Sequence, residues 1–118
     1  MEKIKQMLEI AELAYRAHER LHELEKPYTI NVYFQFNCPL LEISVFHKGE
    51  KGYLNKAYSV QLFWEDEFIL GRFDINQNRH FMCDMTVAIE NVISDLTWIS
   101  KYGDAGILEN NPLWVFAL

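Results

Sequence analysis

The sequence predicts a single α+β domain in which an N-terminal helix precedes a four-stranded antiparallel β-meander and a second helix follows it. Apolar residues recur with a helical period near both ends of the chain and with a period of two between them. Half of the 118 residues are apolar and 14% are aromatic, which is enough for one packed core. We therefore expect residues 1–118 to form a two-layer sandwich of two helices on one sheet.

The first helix is predicted over residues 3–25. Apolar side chains recur there every three or four residues, while charged residues occupy the opposite face. Glu12 and Arg16 have the spacing of an i,i+4 ion pair, and Pro27 ends the helix because it lacks a backbone N–H and its ring clashes with the preceding turn. The apolar positions are Ile4, Met7, Leu8, Ala11, Ala14, Tyr15, His18 and Leu21.

Strands are predicted from Tyr28, where the period changes to two. The first strand runs to Phe36 and is followed by a turn at Asn37–Leu40. The second strand buries Leu41, Ile43 and Val45, the third alternates as Tyr58, Val60, Leu62 and Trp64, and the fourth covers Phe68–Asp74 after the tip Glu65–Glu67.

Hairpin pairing supports this arrangement, because opposed residues must face the same side of a sheet. Pairing Phe36 with Leu41, Leu41 with Trp64, and Leu62 with Ile69 places the apolar residues of every hairpin on one side. Phe63 then lies opposite Phe68. An antiparallel meander is therefore the expected sheet.

Residues 81–101 return to the helical period and predict the second helix. Lys101 followed by Gly103 is typical of a helix C-terminus. The last segment, Leu113–Leu118, is wholly apolar, and we expect a short strand or turn there. Asn111–Pro112 before it would also suit the start of a helix.

The net charge of −6 lies in the second half of the chain. Residues 1–60 hold eight acidic and eight basic side chains, whereas residues 61–118 hold nine acidic and three basic ones, which leaves −6. Such a field repels phosphate, so we expect no direct contact with nucleic acid; the charge favours a basic protein partner or serves only to keep the domain soluble.

The chain carries no signal of export or membrane insertion. Its N-terminus interleaves charged and apolar residues, unlike a signal peptide, and no run approaches the ~20 apolar residues of a membrane span. Cys38 and Cys83 follow no metal-binding or redox spacing. We expect a cytoplasmic protein.

Residues 18–22 read His-Glu-Arg-Leu-His, an H-E-x-x-H string. Over these five residues the chain resembles the active-site helix of the zincin metalloproteases, which implies His18 and His22 as zinc ligands and Glu19 as general base. The chain departs from that family in its charged flanking residues and lacks the Gly-x-x-His continuation. The string also fits an ordinary amphipathic helix. The candidates for a third ligand are His47, His80, Glu42 and Asp74.

The face of the predicted sheet away from the apolar side is rich in aromatic residues. If both helices cover the other face, this one is an exposed patch of the kind found in protein interfaces. A helix or the C-terminal segment would cover it in the alternative arrangement. The residues expected to bind a partner are Tyr33, Phe46, Phe63, Phe68 and Leu70, with the acidic tip Glu65, Asp66 and Glu67.

These observations predict a non-enzymatic protein-binding module with no cofactor. In its small size, acidity and α+β composition the chain is similar to bacterial immunity proteins and to phage-encoded inhibitors of nucleic-acid enzymes. That similarity implies a basic, nucleic-acid-handling protein as partner. The alternatives are a small zinc-dependent hydrolase using the H-E-x-x-H string, and a homodimer formed through the aromatic patch or the apolar C-terminus.

Overall fold

Helices pack on one face of a five-stranded antiparallel sheet in the computed structural model, which describes residues 2–37, 39–48, 54–64, 68–72 and 80–111. The predicted α+β class is confirmed. The described elements are α1 (Glu2–Glu23), β1 (Tyr28–Gln35), β2 (Leu40–Lys48), β3 (Leu54–Phe63), β4 (Phe68–Arg72), β5 (His80–Asp84), α2 (Met85–Tyr102) and α3 (Ile107–Asn110).

Helix α1 buries one stripe of side chains against the sheet and α2. Buried residues recur along it at spacings of three and four, the repeat of a helix face that packs on a core. Its C-terminus closes with Lys26 N–H donating to the Leu21 carbonyl at 2.9 Å, and Glu25 between them has φ 54. This is the left-handed helix end that glycine usually occupies. The buried stripe is Met7, Ile10, Ala14, Ala17 and Leu21.

The strands follow one another across the sheet in chain order, β1-β2-β3-β4-β5. The expected pairing of Leu62 with Ile69 and of Phe63 with Phe68 is confirmed. The first two hairpins were predicted two residues out of register, since Leu41 pairs with Phe34 on β1 and with Leu62 on β3. A shift of two residues keeps every side chain on its predicted face, so the core is unaffected.

The prediction of a helix over residues 81–101 was wrong at its start, because residues 80–84 form a fifth strand. Helix α2 begins after Asp84, whose Oδ1 accepts from the backbone N–H groups of Thr86 and Val87 at 2.9 and 3.3 Å. This carboxylate cap fixes the boundary between strand and helix. At the other end Gly103 has φ 67 and donates its N–H to Ile99 at 2.7 Å, as the predicted C-terminus requires.

The core lies between the helices and the inner side of the sheet. Ile30, Leu41, Val60 and other alternating strand residues pack there against the buried stripes of α1 and α2. Trp64 closes one end of it, with its indole N–H donating to Gln6 Oε1 at 2.9 Å. The opposite side of the sheet, carrying Tyr33, Glu42 and their neighbours, is called the outer face below.

The C-terminal part of the described chain folds back on α2. Asp95 is buried in α2 and accepts a hydrogen bond from the Asn111 side chain, which holds the end of the short helix α3 against α2. The expected strand or turn at Leu113–Leu118 lies outside the described residues. Among the described helices, none has the length and apolar character needed to cross a membrane.

Candidate functional site

The helical spacing of the H-E-x-x-H string brings its two histidines together on α1. The imidazole rings of His18 and His22 are nearly parallel, at 24°, with centroids 6.2 Å apart. With Tyr15, Glu19 and Glu23 they line an open depression of about 310 Å³. The string therefore places two imidazoles and a neighbouring carboxylate around one surface site, as predicted from its spacing.

The hydrogen bonding of His18 joins α1 to the sheet. Its Nδ1 accepts from the backbone N–H of Ile30 on β1 at 3.2 Å. A neutral imidazole has one ring proton and one available ring lone pair, so an accepting Nδ1 leaves the proton on Nε2. A histidine that binds a metal normally donates a hydrogen bond from its other nitrogen. In this structure His18 accepts at Nδ1 instead of donating. A zinc ion could therefore bind His18 only if the hydrogen bond from Ile30 N–H were broken.

The candidates for a third zinc ligand do not gather around His18 and His22 where the structure describes them. The exposed His47 ring stands edge-on to Tyr28, with centroids 5.1 Å apart. Glu42 lies on the outer face, away from α1. In the described ranges no group of three His, Cys, Asp or Glu residues could hold a metal ion. For His80 only the backbone, at the start of β5, is described, and Asp74 is outside the described residues.

The outer face carries the residues predicted to bind a partner, at the positions the alternation implies. Tyr33 on β1 pairs in register with Glu42, and Gln61 pairs with Leu70. The side chains of Phe68 and Leu70 are not described, but their backbone positions belong to this face. The predicted acidic tip, Glu65, Asp66 and Glu67, lies outside the described residues.

Glu42 is the charged centre of the described outer face. It is half-buried, and its Oε2 accepts from Ser44 Oγ at 3.0 Å. Its Oε1 accepts from Gln61 Nε2. These two neutral donors help to orient the carboxylate on the face that also carries Tyr33.

Exposure differs across the outer face. Ser44, Ser59 and Gln61 in its middle are buried, although no described helix lies over them. Phe46 and Phe63 are half-buried, whereas Tyr33 is 55% exposed. Among the side chains of the outer face that the structure describes, the accessible aromatic surface therefore lies toward β1.

Sequence reasoning missed an aromatic pair on α2. Trp98 and Tyr102 are exposed with ring centroids 4.4 Å apart, and Lys101 Nζ lies 5.7 Å from the Tyr102 ring. The sequence could have indicated this pair, because Trp98 and Tyr102 are four positions apart and fall outside the apolar stripe of the helix.

Cys83 is the described free cysteine and lies half-buried at the end of β5. Burial, and then the nearby Asp84 carboxylate, raise the pKa of its thiol above the usual value. The local environment therefore disfavours the thiolate, the form that acts as a nucleophile.

No protein-family model matches the chain, nor does any curated protein or solved structure. The residues and their geometry are therefore the basis for assigning a function.

Proposed function

We propose that this chain is a non-enzymatic protein-binding module whose outer face binds a basic protein. The observation that carries the proposal is the exposed ring of Tyr33 on the outer face of a fold with a net charge of −6. An exposed aromatic ring on an acidic fold suits an arginine or lysine side chain, which can stack on the ring while the net negative charge of the chain attracts it.

The surroundings of Tyr33 support a protein ligand. Phe46 and Phe63 are half-buried on the same face and add apolar area, while Asn31 and Gln35 on β1 supply a polar rim. Interfaces commonly combine aromatic anchors with such a rim. The acidic excess in residues 61–118 accelerates encounter with a basic surface over longer distances.

A binding role is also supported by the chemistry of α1. The Nδ1 of His18 is engaged by Ile30 N–H, so the H-E-x-x-H helix acts as part of the scaffold in this arrangement. In the proposed role the chain covers a basic, nucleic-acid-handling surface and excludes phosphate from it by charge.

Photocrosslinking identifies the partner for this test. A benzophenone amino acid replaces Tyr33 in the producing cell, with the same replacement at the exposed Trp98 on α2 as a matched control. A basic protein crosslinked from position 33 and not from position 98 is the expected result. Crosslinking from position 98 alone would transfer the site to α2, and an acidic partner other than a second copy of this chain would contradict the proposal.

The purified partner then allows a quantitative comparison. Tyr33→Ala and Phe63→Ala should each weaken binding ~10-fold or more, as removal of aromatic anchors does. Charge reversal of the three acidic tip residues 65–67 to lysine should slow association most at low salt. A control with Glu9, Glu12 and Glu90 on the helices changed to lysine has the same net charge. If that control slows association equally, net charge alone explains the effect of the tip. If Tyr33→Ala and Phe63→Ala also leave binding unchanged, the outer face is not the site.

A further inference from the structure

The free edge of β1 exposes main-chain groups in a defined pattern. Lys48 N–H donates to the Pro27 carbonyl at 2.8 Å. Because these two residues are opposed in the register, this bond shows which alternate residues of β1 are hydrogen-bonded to β2. Odd-numbered β1 residues therefore direct their N–H and C=O groups toward β2, and even-numbered residues direct theirs outward. The bond from Ile30 N–H to His18 on the outward side agrees with this phase.

His18 reduces the number of main-chain groups on this edge that can pair with another strand. Ile30 N–H is already used, so the outward groups of Val32 and Phe34 remain, and they have no hydrogen-bond partner within the described parts of the chain. Residues 28–36 also contain no charged side chain. Monomeric proteins commonly protect edge strands with charge; the other edge strand, β5, contains His80 and Asp84.

Helix α1 carries a second stripe on the same side of the domain, called the α1 seam here, which combines four apolar residues with two histidines. Its residues recur at spacings of four and three, the repeat of a coiled-coil contact, and Leu8 and Tyr15 are 58% and 61% exposed. Since His18 belongs to this stripe and reaches the free edge of β1, the seam and the edge face the same way. The α1 seam is Ile4, Leu8, Ala11, Tyr15, His18 and His22.

We propose that two copies of the chain associate through β1 and the α1 seam around a two-fold axis at Tyr33. In this register Val32 of each copy exchanges two main-chain hydrogen bonds with Phe34 of the other, which makes four bonds in all. Val32 and Phe34 then meet on the inner side, apolar against apolar. The two Tyr33 side chains oppose each other on the outer face.

We assign this surface to a second copy of the chain because it combines a strand edge, β1, with a helix stripe, the α1 seam. A peptide strand could satisfy the edge, and an amphipathic helix could cover the seam. A second copy related by a two-fold axis brings its own β1 edge to this β1 edge and its own α1 seam to this α1 seam at the same time. Residues 1–60, which contain both elements, have no net charge to oppose the association.

Disulfide trapping tests the register. In a Cys38→Ser, Cys83→Ser background, Tyr33→Cys places two cysteines on the axis, where opposed Cα atoms of a non-hydrogen-bonded pair are ~4.5 Å apart and can form a disulfide. Asn31→Cys is the matched control on the same strand and face. Its two copies would lie four residues apart along the strands, ~14 Å, which is too far. Rapid oxidation to a covalent dimer is expected for the first variant alone. Equal crosslinking of both would overturn the proposed register.

Mass measurement tests the association itself. Sedimentation of the unmodified chain should give twice 14.0 kDa at high concentration. Val32→Pro removes an outward N–H and leaves the ladder with β2 intact, so it should give a folded monomer. Leu8→Glu in the α1 seam should do the same, with circular dichroism confirming the fold. A monomer at every concentration, or a dimer unaffected by both substitutions, would refute the proposal. Refutation of the dimer would leave the proposed site for a basic partner unaffected, because Tyr33 is exposed in the single chain.

Discussion

Replacing His18 tests whether its hydrogen bond with Ile30 N–H stabilises the packing of α1 on β1. In His18→Ala the Ile30 N–H loses its acceptor. A part-buried hydrogen bond between neutral groups contributes about 0.5–1.5 kcal/mol net. The half-buried ring adds packing of about 0.5–1 kcal/mol, so we expect the free energy of unfolding to fall by about 1–2.5 kcal/mol.

Two further variants separate the hydrogen bond from other effects. In His18→Asn the amide Oδ1 can take the place of Nδ1, so the bond is kept, the ring packing is lost, and about half of the destabilisation should remain. His22→Ala removes the exposed histidine of the pair and should change stability by less than about 0.5 kcal/mol. Urea denaturation at one fixed protein concentration measures all three.

Hydrogen exchange at the Ile30 amide gives the decisive measurement. It should be faster in His18→Ala than in the unmodified chain and close to normal in His18→Asn. Equal destabilisation by alanine and asparagine, with unchanged exchange at Ile30, would show that the bond contributes nothing and that His18 acts only by packing.

Two other features give predictions with defined signs. Glu25→Gly should stabilise the fold by about 0.5–1 kcal/mol because φ 54 is strained for a residue with a Cβ. Gly103→Ala should destabilise by about 1–2 kcal/mol, since φ is 67 and a Cβ there would lie 2.0 Å from Leu24 Cδ1; thermal unfolding of both variants checks the opposite signs. In a Cys38→Ser background, alkylation of Cys83 near pH 8 should be slower than that of free cysteine, because burial raises its pKa and reduces the thiolate fraction. Reaction as fast as that of free cysteine would contradict this.

The faces of the sheet were predictable from the sequence, but its register was not. Alternation determines which side chains share a side, and a shift of two residues leaves that unchanged. Pairing Leu41 with Phe36 or with Phe34 therefore satisfies the same pattern. The choice depends on where the turn after β1 closes, and Leu40 belongs to β2 rather than to that turn.

The fifth strand was missed because it is short and leads directly into a helix of similar apolar content. Asp84 carried a usable signal, as an acidic residue that can cap the first backbone N–H groups of a helix. The role of His18 was beyond sequence reasoning for another reason. Its hydrogen-bond partner lies on a different element, twelve residues away, so the ring's orientation depends on how α1 docks on the sheet.

The strand order has a consequence for how the chain folds. Each strand pairs with its neighbour in sequence, so the sheet can grow by one hairpin at a time, with short loops to close. The bond between Trp64 and Gln6 instead spans 58 positions and forms only when α1 reaches the far end of β3. Closing this contact from the unfolded chain costs more loop-closure entropy than closing any one hairpin, and the buried indole of Trp64 reports on it by fluorescence once Trp98 and Trp114 are replaced.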